Sequence, residues 1–334
     1  MIRFLILSIM TVGLFVCNLI FGAIHIDASD VMSILGGSSV GNEAIEFIVL
    51  DSRLPQAVTA LFAGAGLAAA GLMLQTAFRN PLAGPSILGI TSGASLGVAL
   101  VMLLLGGTVS IGSVTLGGYA AVIGAAMAGS FLIMALLIFF SAKIRNNLML
   151  LITGIMVGYL TSSLVTLLSS ISTEQGVHSY VMWGMGTFGG VISSQLPWFA
   201  GIASIGLLIS LLLCKPLNIL LLGDNYAANL GIKVKRVRTW LLVATGLLSA
   251  VITAYCGPIG FIGLAVPHIA RLIFRTDNHW VLMPATMIAG ADVALACNVL
   301  SVAIADSVIP INALTPLVGV PVILYVILSR RKGV

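Results

Sequence analysis

The sequence predicts an all-α, polytopic membrane protein with roughly ten transmembrane helices, on three observations. The 334-residue chain is 59% hydrophobic and 7% charged, where soluble domains carry roughly 25% charge. Its mean hydropathy is +1.17. Its apolar runs come close to the roughly 20 residues that a helix needs to cross a bilayer core. No polar stretch is long enough for a second, soluble domain, so residues 1–334 read as one transmembrane domain.

The spans follow in chain order from runs and their punctuation. The first, 4–23, follows Met1-Ile2-Arg3. It is longer than the roughly 7–15 apolar residues of a secretory signal core, so it reads as an uncleaved span. The second, 54–78, and the fourth, 117–141, are dense in Gly and Ala, as in Ala63 to Gly71 and Gly118 to Gly129. Small residues let helix backbones approach closely, which predicts a tight bundle. Between them, 87–105 follows a Pro- and Gly-rich turn. The fifth, 148–170, carries Thr and Ser at helical spacing, and the sixth is 192–213. The seventh, 238–256, follows a basic run, while the eighth, 259–274, is short and opens just after Gly257-Pro258. The ninth, 281–304, holds an acid at mid-span, Asp292, and the tenth, 312–329, ends before Arg330-Arg331-Lys332.

Basic residues set the orientation. With a cytoplasmic N-terminus, Arg53 is the lone cation outside and the other Lys and Arg residues all fall inside, as the positive-inside rule requires. Asp27, Asp30, Glu43, Glu46, Asp51, Glu174 and Asp306 fall outside. Both termini are then cytoplasmic. The net charge of +5 reflects this loop bias rather than nucleic-acid binding.

Several chemistries find no residues. No lysine follows a glycine, so the chain has no P-loop of its own. His25, His178, His268 and His279 are scattered, with no HExxH, and no GxSxG elbow occurs. Cys17, Cys214, Cys256 and Cys297 lie in or beside apolar runs without CxxC spacing, which reads as small buried hydrophobes. Neither a metal site nor an enzyme is predicted. A weak internal echo links Arg53–Gly89 with Arg238–Gly263, each an Arg, a small-residue span and a Pro-Gly turn. Inverted repeats of that kind occur in transporters.

One polar island, residues 222–238, interrupts the apolar chain, with Asp224, Lys233, Lys235, Arg236 and Arg238 in one short connection. Its first half has helical character between Gly223 and Gly231. A charged, glycine-bounded element on the cytoplasmic face reads as a grip for a separate motor subunit. A plain loop that anchors topology is the alternative.

Three segments carry a resemblance. They are Arg53-Leu54-Pro55 through Asn80-Pro81-Leu82-Ala83-Gly84-Pro85-Ser86 to Gly97, the island around Gly223 and Leu230-Gly231, and Gly257 through Pro267-His268-Ile269-Ala270-Arg271. With the outer segment Tyr180 to Gly190 they resemble, over almost the whole chain, the permease subunits of ABC importers for ferric siderophores, haem and cobalamin. The resemblance implies the type II importer permease fold and a homodimer. It also implies two ATPase subunits that hold ATP and Mg, a periplasmic or lipid-anchored binding protein, and placement in a bacterial inner membrane. No cofactor is expected on this chain.

The resemblance also implies roles for particular residues. The loop after the sixth span, about 217–235, should form two short coupling helices, with Leu217, Leu220, Gly223, Asp224, Asn225, Ala228, Leu230 and Gly231 facing the ATPase. Arg53 should meet acids on the binding protein; Gln56 and Ser301 stand where relatives carry further arginines. Snorkelling, or pairing with Asp51, is the other reading of Arg53. Thr153, Met156, Tyr159 and Ser163 share one face of the fifth span and should line the pathway, unless the hydroxyls only bond their own backbone. Asn146 and Asn147 align with the inner gate, or form a plain loop. Asp292, costly at mid-membrane, should have a function or a buried partner such as Asn298 or His268. It keeps a stand-alone, proton-coupled secondary transporter as the alternative function.

Overall fold

The computed structural model describes residues 1–22, 24–38, 40–106, 108–111, 114–144, 147–303 and 308–331. The chain is a helical bundle. Helix α1 (Ile2–Ile20) crosses first. Two short helices, α2 (Ala28–Leu35) and α3 (Glu43–Phe47), follow it at the far end. A π-helical stretch, Ile48–Arg53, then joins α3 to α4 (Leu54–Phe78) as one continuous rod. The span predicted at 54–78 is therefore real but starts a turn or more earlier.

Helix α5 (Ile90–Ala99) continues through a π-helical stretch, Leu100–Leu104, and the pair is too short to count as a full-length span. An antiparallel hairpin follows, β1 (Thr108–Ile111) against β2 (Val114–Gly117), in register Thr108 with Gly117 and Ile111 with Val114. It is the one sheet among the described residues and lies in a connection expected to be a loop. Helices α6 (Gly118–Lys143) and α7 (Asn147–Ile171) are long and apolar, and α8 (Glu174–Gly184) is a short helix beyond them. Next come α9 (Leu196–Leu212), α10 (Cys214–Leu220), α11 (Asp224–Asn229) and α12 (Val234–Cys256). The chain finishes with α13 (Ile262–Phe274), α14 (His279–Ala303) and α15 (Ile311–Arg331).

Among the described residues, 6 helices are long and apolar enough to cross a membrane unaided, 7 with the bent pair α9–α10. The shorter apolar helices Ile90–Leu104, Ile262–Phe274 and Ile311–Val326 bring the set to about ten, matching the runs read from sequence. Two of these short helices start inside the bundle. The turn before α5 and the turn before α13 enter from opposite ends and meet around a cavity of about 140 Å³ lined by Leu67, Pro85, Ile87, Ile259, Phe261 and Leu264. The echo between the two Pro-Gly segments thus has a spatial counterpart.

Helix α4 is the axle. It packs against α14, α12, α13 and α9, and nearly all of it is buried. Closeness, not bulk, makes those contacts. A Cβ on Gly64 would fall on the carbonyl oxygen of Gly290, and one on Gly71 would fall on that of Gly263. Without side chains at these crossings the backbones touch, and dispersion contacts replace the hydrophobic drive that lipid cannot supply. By contrast the outward faces of α1 and α7 carry exposed Ile, Leu and Met, the composition that lipid or another protein covers.

Side-chain contacts show which helix ends share a side. Arg79 after α4 reaches Asp224 on α11, Arg238 on α12 reaches the same acid, and Arg271 on α13 bonds Gln75 on α4. Phe4 on α1 stacks on Phe274. These basic residues therefore gather at one end of the bundle, as their spacing predicts. Arg53 and the acids Asp27, Asp30 and Glu43 belong to the opposite end.

Candidate functional site

The polar island folds into an ordered element at the basic end. Helix α9 bends by 48° into α10. Pro216 lacks the N–H that would continue the ladder from α9, which explains the break. The bend lays α10 across the end of the bundle, where Leu217 and Leu220 are buried. Gly223 then takes φ +116, open to glycine and strained for other residues, to start α11. Helix α11 ends in a Schellman turn: the Ile232 N–H donates to Ala227 O at 3.0 Å and the Gly231 N–H to Ala228 O at 3.0 Å, with Gly231 at φ +81. Ala227 packs inward. Two short helices stand where the resemblance implied them.

Two arginines fix the angle of that element. Arg79 Nη2 lies 3.4 Å from Asp224 Oδ1, and Arg238 Nη2 lies 3.2 Å from Asp224 Oδ2. Arg79 also reaches the Leu220 carbonyl. The exposed Arg79 pair contributes about 0.2–1 kcal/mol, so it orients more than it holds, while the Arg238 side chain is largely covered. The buried leucines hold.

The face turned outward differs from the one expected at Leu217 and Leu220. Leu217 and Leu220 are buried, so they anchor the element and cannot meet another protein. Leu221, Leu222 and Tyr226, together with Leu230, are exposed beside Asn225, Ala228 and Asn229. A patch of Leu and Tyr rimmed by Asn and Lys is a docking composition, not a solvated loop. The sequence reading passed over Leu221, Leu222 and Tyr226; in so short a helix their facing depends on the bend at α9.

At the opposite end the expected docking cation is not presented. Arg53 is 5% exposed. Its Nη1 donates to Leu19 O at 2.8 Å and Ile20 O at 2.7 Å, and its Nη2 donates to Ile24 O. The guanidinium thus caps the carbonyl end of α1, where orphaned C=O groups and the helix dipole favour a cation. A Cβ on Gly22 would come within 2.7 Å of it, so that glycine leaves the room. Neither snorkelling nor a pair with Asp51 describes the site. Gln56, one turn on, faces inward as well. Its Nε2 donates to Asn298 Oδ1 at 3.0 Å, Asn298 donates to Asn18 Oδ1 at 2.6 Å, and Asn18 donates to Leu295 O at 3.1 Å. Ser301 is buried too.

Asp292 finds neither of its expected partners. Its Oδ1 accepts from Thr11 Oγ1 on α1 at 2.6 Å, while His268 meets the Pro81 carbonyl at 2.8 Å. No cation faces Asp292 among the described residues. Along α7, Met156 and Tyr159 are exposed and Ser163 lies on the same face. Thr153 is half-buried and donates to Met149 O at 2.8 Å, so its hydroxyl serves its own helix. Asn147 begins α7, and Asn146 lies outside the described residues. Among the described residues no three His, Cys, Asp or Glu side chains could hold a metal ion.

A bundle of about ten spans with an ordered two-helix element at its basic end has the architecture of a membrane permease. Comparison with known proteins gives the particular kind. Residues 9–329 match the FecCD transport family, and the chain belongs to it. The vitamin B12 import system permease protein BtuC of Salmonella typhimurium is 37% identical over 289 residues, 86% of this chain and 85% of that one. The same protein of Klebsiella pneumoniae is 37% identical over 298 residues, 86% of this chain and 85% of the relative. Among solved structures, an inward-facing metal-chelate type ABC transporter superposes with a TM-score of 0.84 at 32% identity over 99% of both chains. The PsaBC complex of Streptococcus pneumoniae shares the fold alone, with a TM-score of 0.56 at 17% identity, covering 85% of this chain and 94% of that one. This is a type II ABC importer permease; ATP hydrolysis belongs to separate subunits, and the permease itself is not catalytic.

Proposed function

We propose that this chain is the permease of an ATP-driven importer for a metal chelate, with a corrinoid of the vitamin B12 type as the first substrate to test. The outward patch of Leu221, Leu222 and Tyr226 on a rigidly held element carries this reading. A motor subunit needs an ordered lever to push, and this patch at the basic end supplies one. The positive-inside rule assigns that end, with both termini, to the cytoplasm of a bacterial inner membrane.

Two copies of the chain would form the pathway between them, since the exposed face of α7 is too continuous and too apolar to face water. Met156, Tyr159 and Ser163 would then line the passage, with the start of α7 at its cytoplasmic mouth. ATP and Mg bind the partner ATPases, and a binding protein delivers the chelate at the opposite end. Docking there rests on surface groups other than Arg53 and Gln56. The corrinoid assignment draws on the named relatives; siderophores and haem are the other chelates the family suggests.

The test is uptake of radiolabelled cyanocobalamin into vesicles holding the permease with its ATPase and binding protein. ATP-dependent, vanadate-sensitive uptake supports the reading. Uptake that follows the proton gradient and ignores vanadate would replace it with secondary transport. ATP-dependent uptake of a ferric siderophore or haem, but not cyanocobalamin, would change only the substrate.

A further inference from the structure

Besides its buried leucines and the ion pairs of Asp224, the α10–α11 element meets the bundle through the side chain of Asn218. Asn218 lies on α10 between Leu217 and Leu220. Its Oδ1 accepts from the His279 backbone N–H at 2.7 Å and from His279 Nδ1 at 2.8 Å. Its Nδ2 donates to Asn278 Oδ1 at 2.8 Å, and that oxygen also accepts the Trp280 N–H at 3.1 Å. His279, the first residue of α14, is 1% exposed, and its Nε2 sits 2.8 Å from Thr76 Oγ1 on α4. The order of donors fixes the assignments. Asn218 Oδ1 can only accept, so Nδ1 carries the imidazole proton, and a flipped amide would set donor against donor; Nε2 then accepts the Thr76 hydroxyl, which has the Leu72 carbonyl at 3.0 Å as its other acceptor.

We propose that Asn218, His279 and Thr76 form a strut that passes movement of the α10–α11 element to α4 and α14. This rests on the coupling role argued above and adds which residues transmit the push. Leucines in a groove hold without direction and can slide. Hydrogen bonds with fixed angles cannot, and this chain ends on the two helices whose backbones touch at Gly64 and Gly290. A push on α10 therefore arrives at a rigid pair rather than at a single helix. The three are positioning residues: none lies on the outward patch, and none touches substrate. Mutations along networks of this sort change a measured coupling ratio by roughly two- to thirtyfold.

The test uses the whole complex in vesicles and reads three quantities: ATPase copurification, ATP hydrolysis, and cyanocobalamin uptake per ATP. Asn218→Leu should keep copurification and hydrolysis within about twofold while uptake per ATP falls about tenfold. Asn218→Asp keeps the acceptor for both His279 donors but sets an oxygen against Asn278 Oδ1, so it should restore part of the uptake. Should Asn218→Leu fail to assemble, Thr76→Val breaks the far end of the same chain with an isosteric side chain and carries the same expectation. Unchanged uptake per ATP would overturn the proposal. So would a loss of uptake that only tracks lost copurification, because the contact would then merely hold the element in place. A wrong coupling reading shows itself separately, in copurification that survives disruption of Leu222 and Tyr226.

Discussion

The two ends of α4 each carry an arginine, and their surroundings set them to different tasks. Arg53 is withdrawn from water and spends its donors on the carbonyls of residues 19, 20 and 24. Arg79 follows the other end with φ 48, its side chain 49% exposed, and shares Asp224 with Arg238. One guanidinium closes a helix end inside the protein. The other aims a surface element. Charge and position along the chain do not separate these roles; the partner does. Without Arg53 the buried Leu19 carbonyl loses its donor, whereas Asp224 without Arg79 still has Arg238 and solvent.

Breaking the comparison at the buried end should cost most. Arg53→Ala leaves up to three carbonyls short of donors, about 1–3 kcal/mol each when buried, so the folded yield in detergent should collapse. Arg53→Lys should recover part of it. A well-folded Arg53→Ala protein would show that the cap is dispensable.

At the exposed end the expected loss is functional. Arg79→Gly removes the guanidinium and also relieves a left-handed residue, worth about 0.5–1 kcal/mol in the opposite direction. The thermal transition should hardly move, while ATPase copurification weakens several-fold. A drop in stability like that of Arg53→Ala would erase the distinction between the two ends. Asp224→Asn, which keeps the shape and loses both ion pairs, should give a smaller, salt-dependent weakening of the same association.

The smallest effect is expected at Asp292. Its oxygen bonds Thr11 and no cation among the described residues faces it, so Asp292→Asn should keep uptake within about twofold. Loss of uptake with folding intact would revive a proton-carrying role for this acid.

Much of the architecture was legible in the sequence because lipid imposes a simple grammar. Apolar runs of span length, Lys and Arg on alternate connections and Gly at crossings each leave a local mark. Gly223 and Gly231 likewise bracket α11, since only glycine suits φ +116 and favours φ +81. What stayed hidden was long-range and partner-dependent. The acceptors for Arg53 are backbone oxygens some thirty residues away, and a carbonyl leaves no trace in a sequence. Asn218 meets His279 across 61 residues, so neither advertises the other. That Leu217 and Leu220 face inward and Leu221 and Leu222 outward turns on a single bend. Asp292 meets Thr11 of α1 rather than Asn298 or His268, a contact across 281 residues that no local spacing marks.

The central claim is that the outward face of the α10–α11 element, and not its buried face, grips the ATPase. Copurification of the ATPase with a Leu222→Ser, Tyr226→Ser double variant tests it most directly. The account predicts a permease that elutes as folded protein and brings down little or no ATPase. A folded double variant that retains its ATPase in full would contradict it.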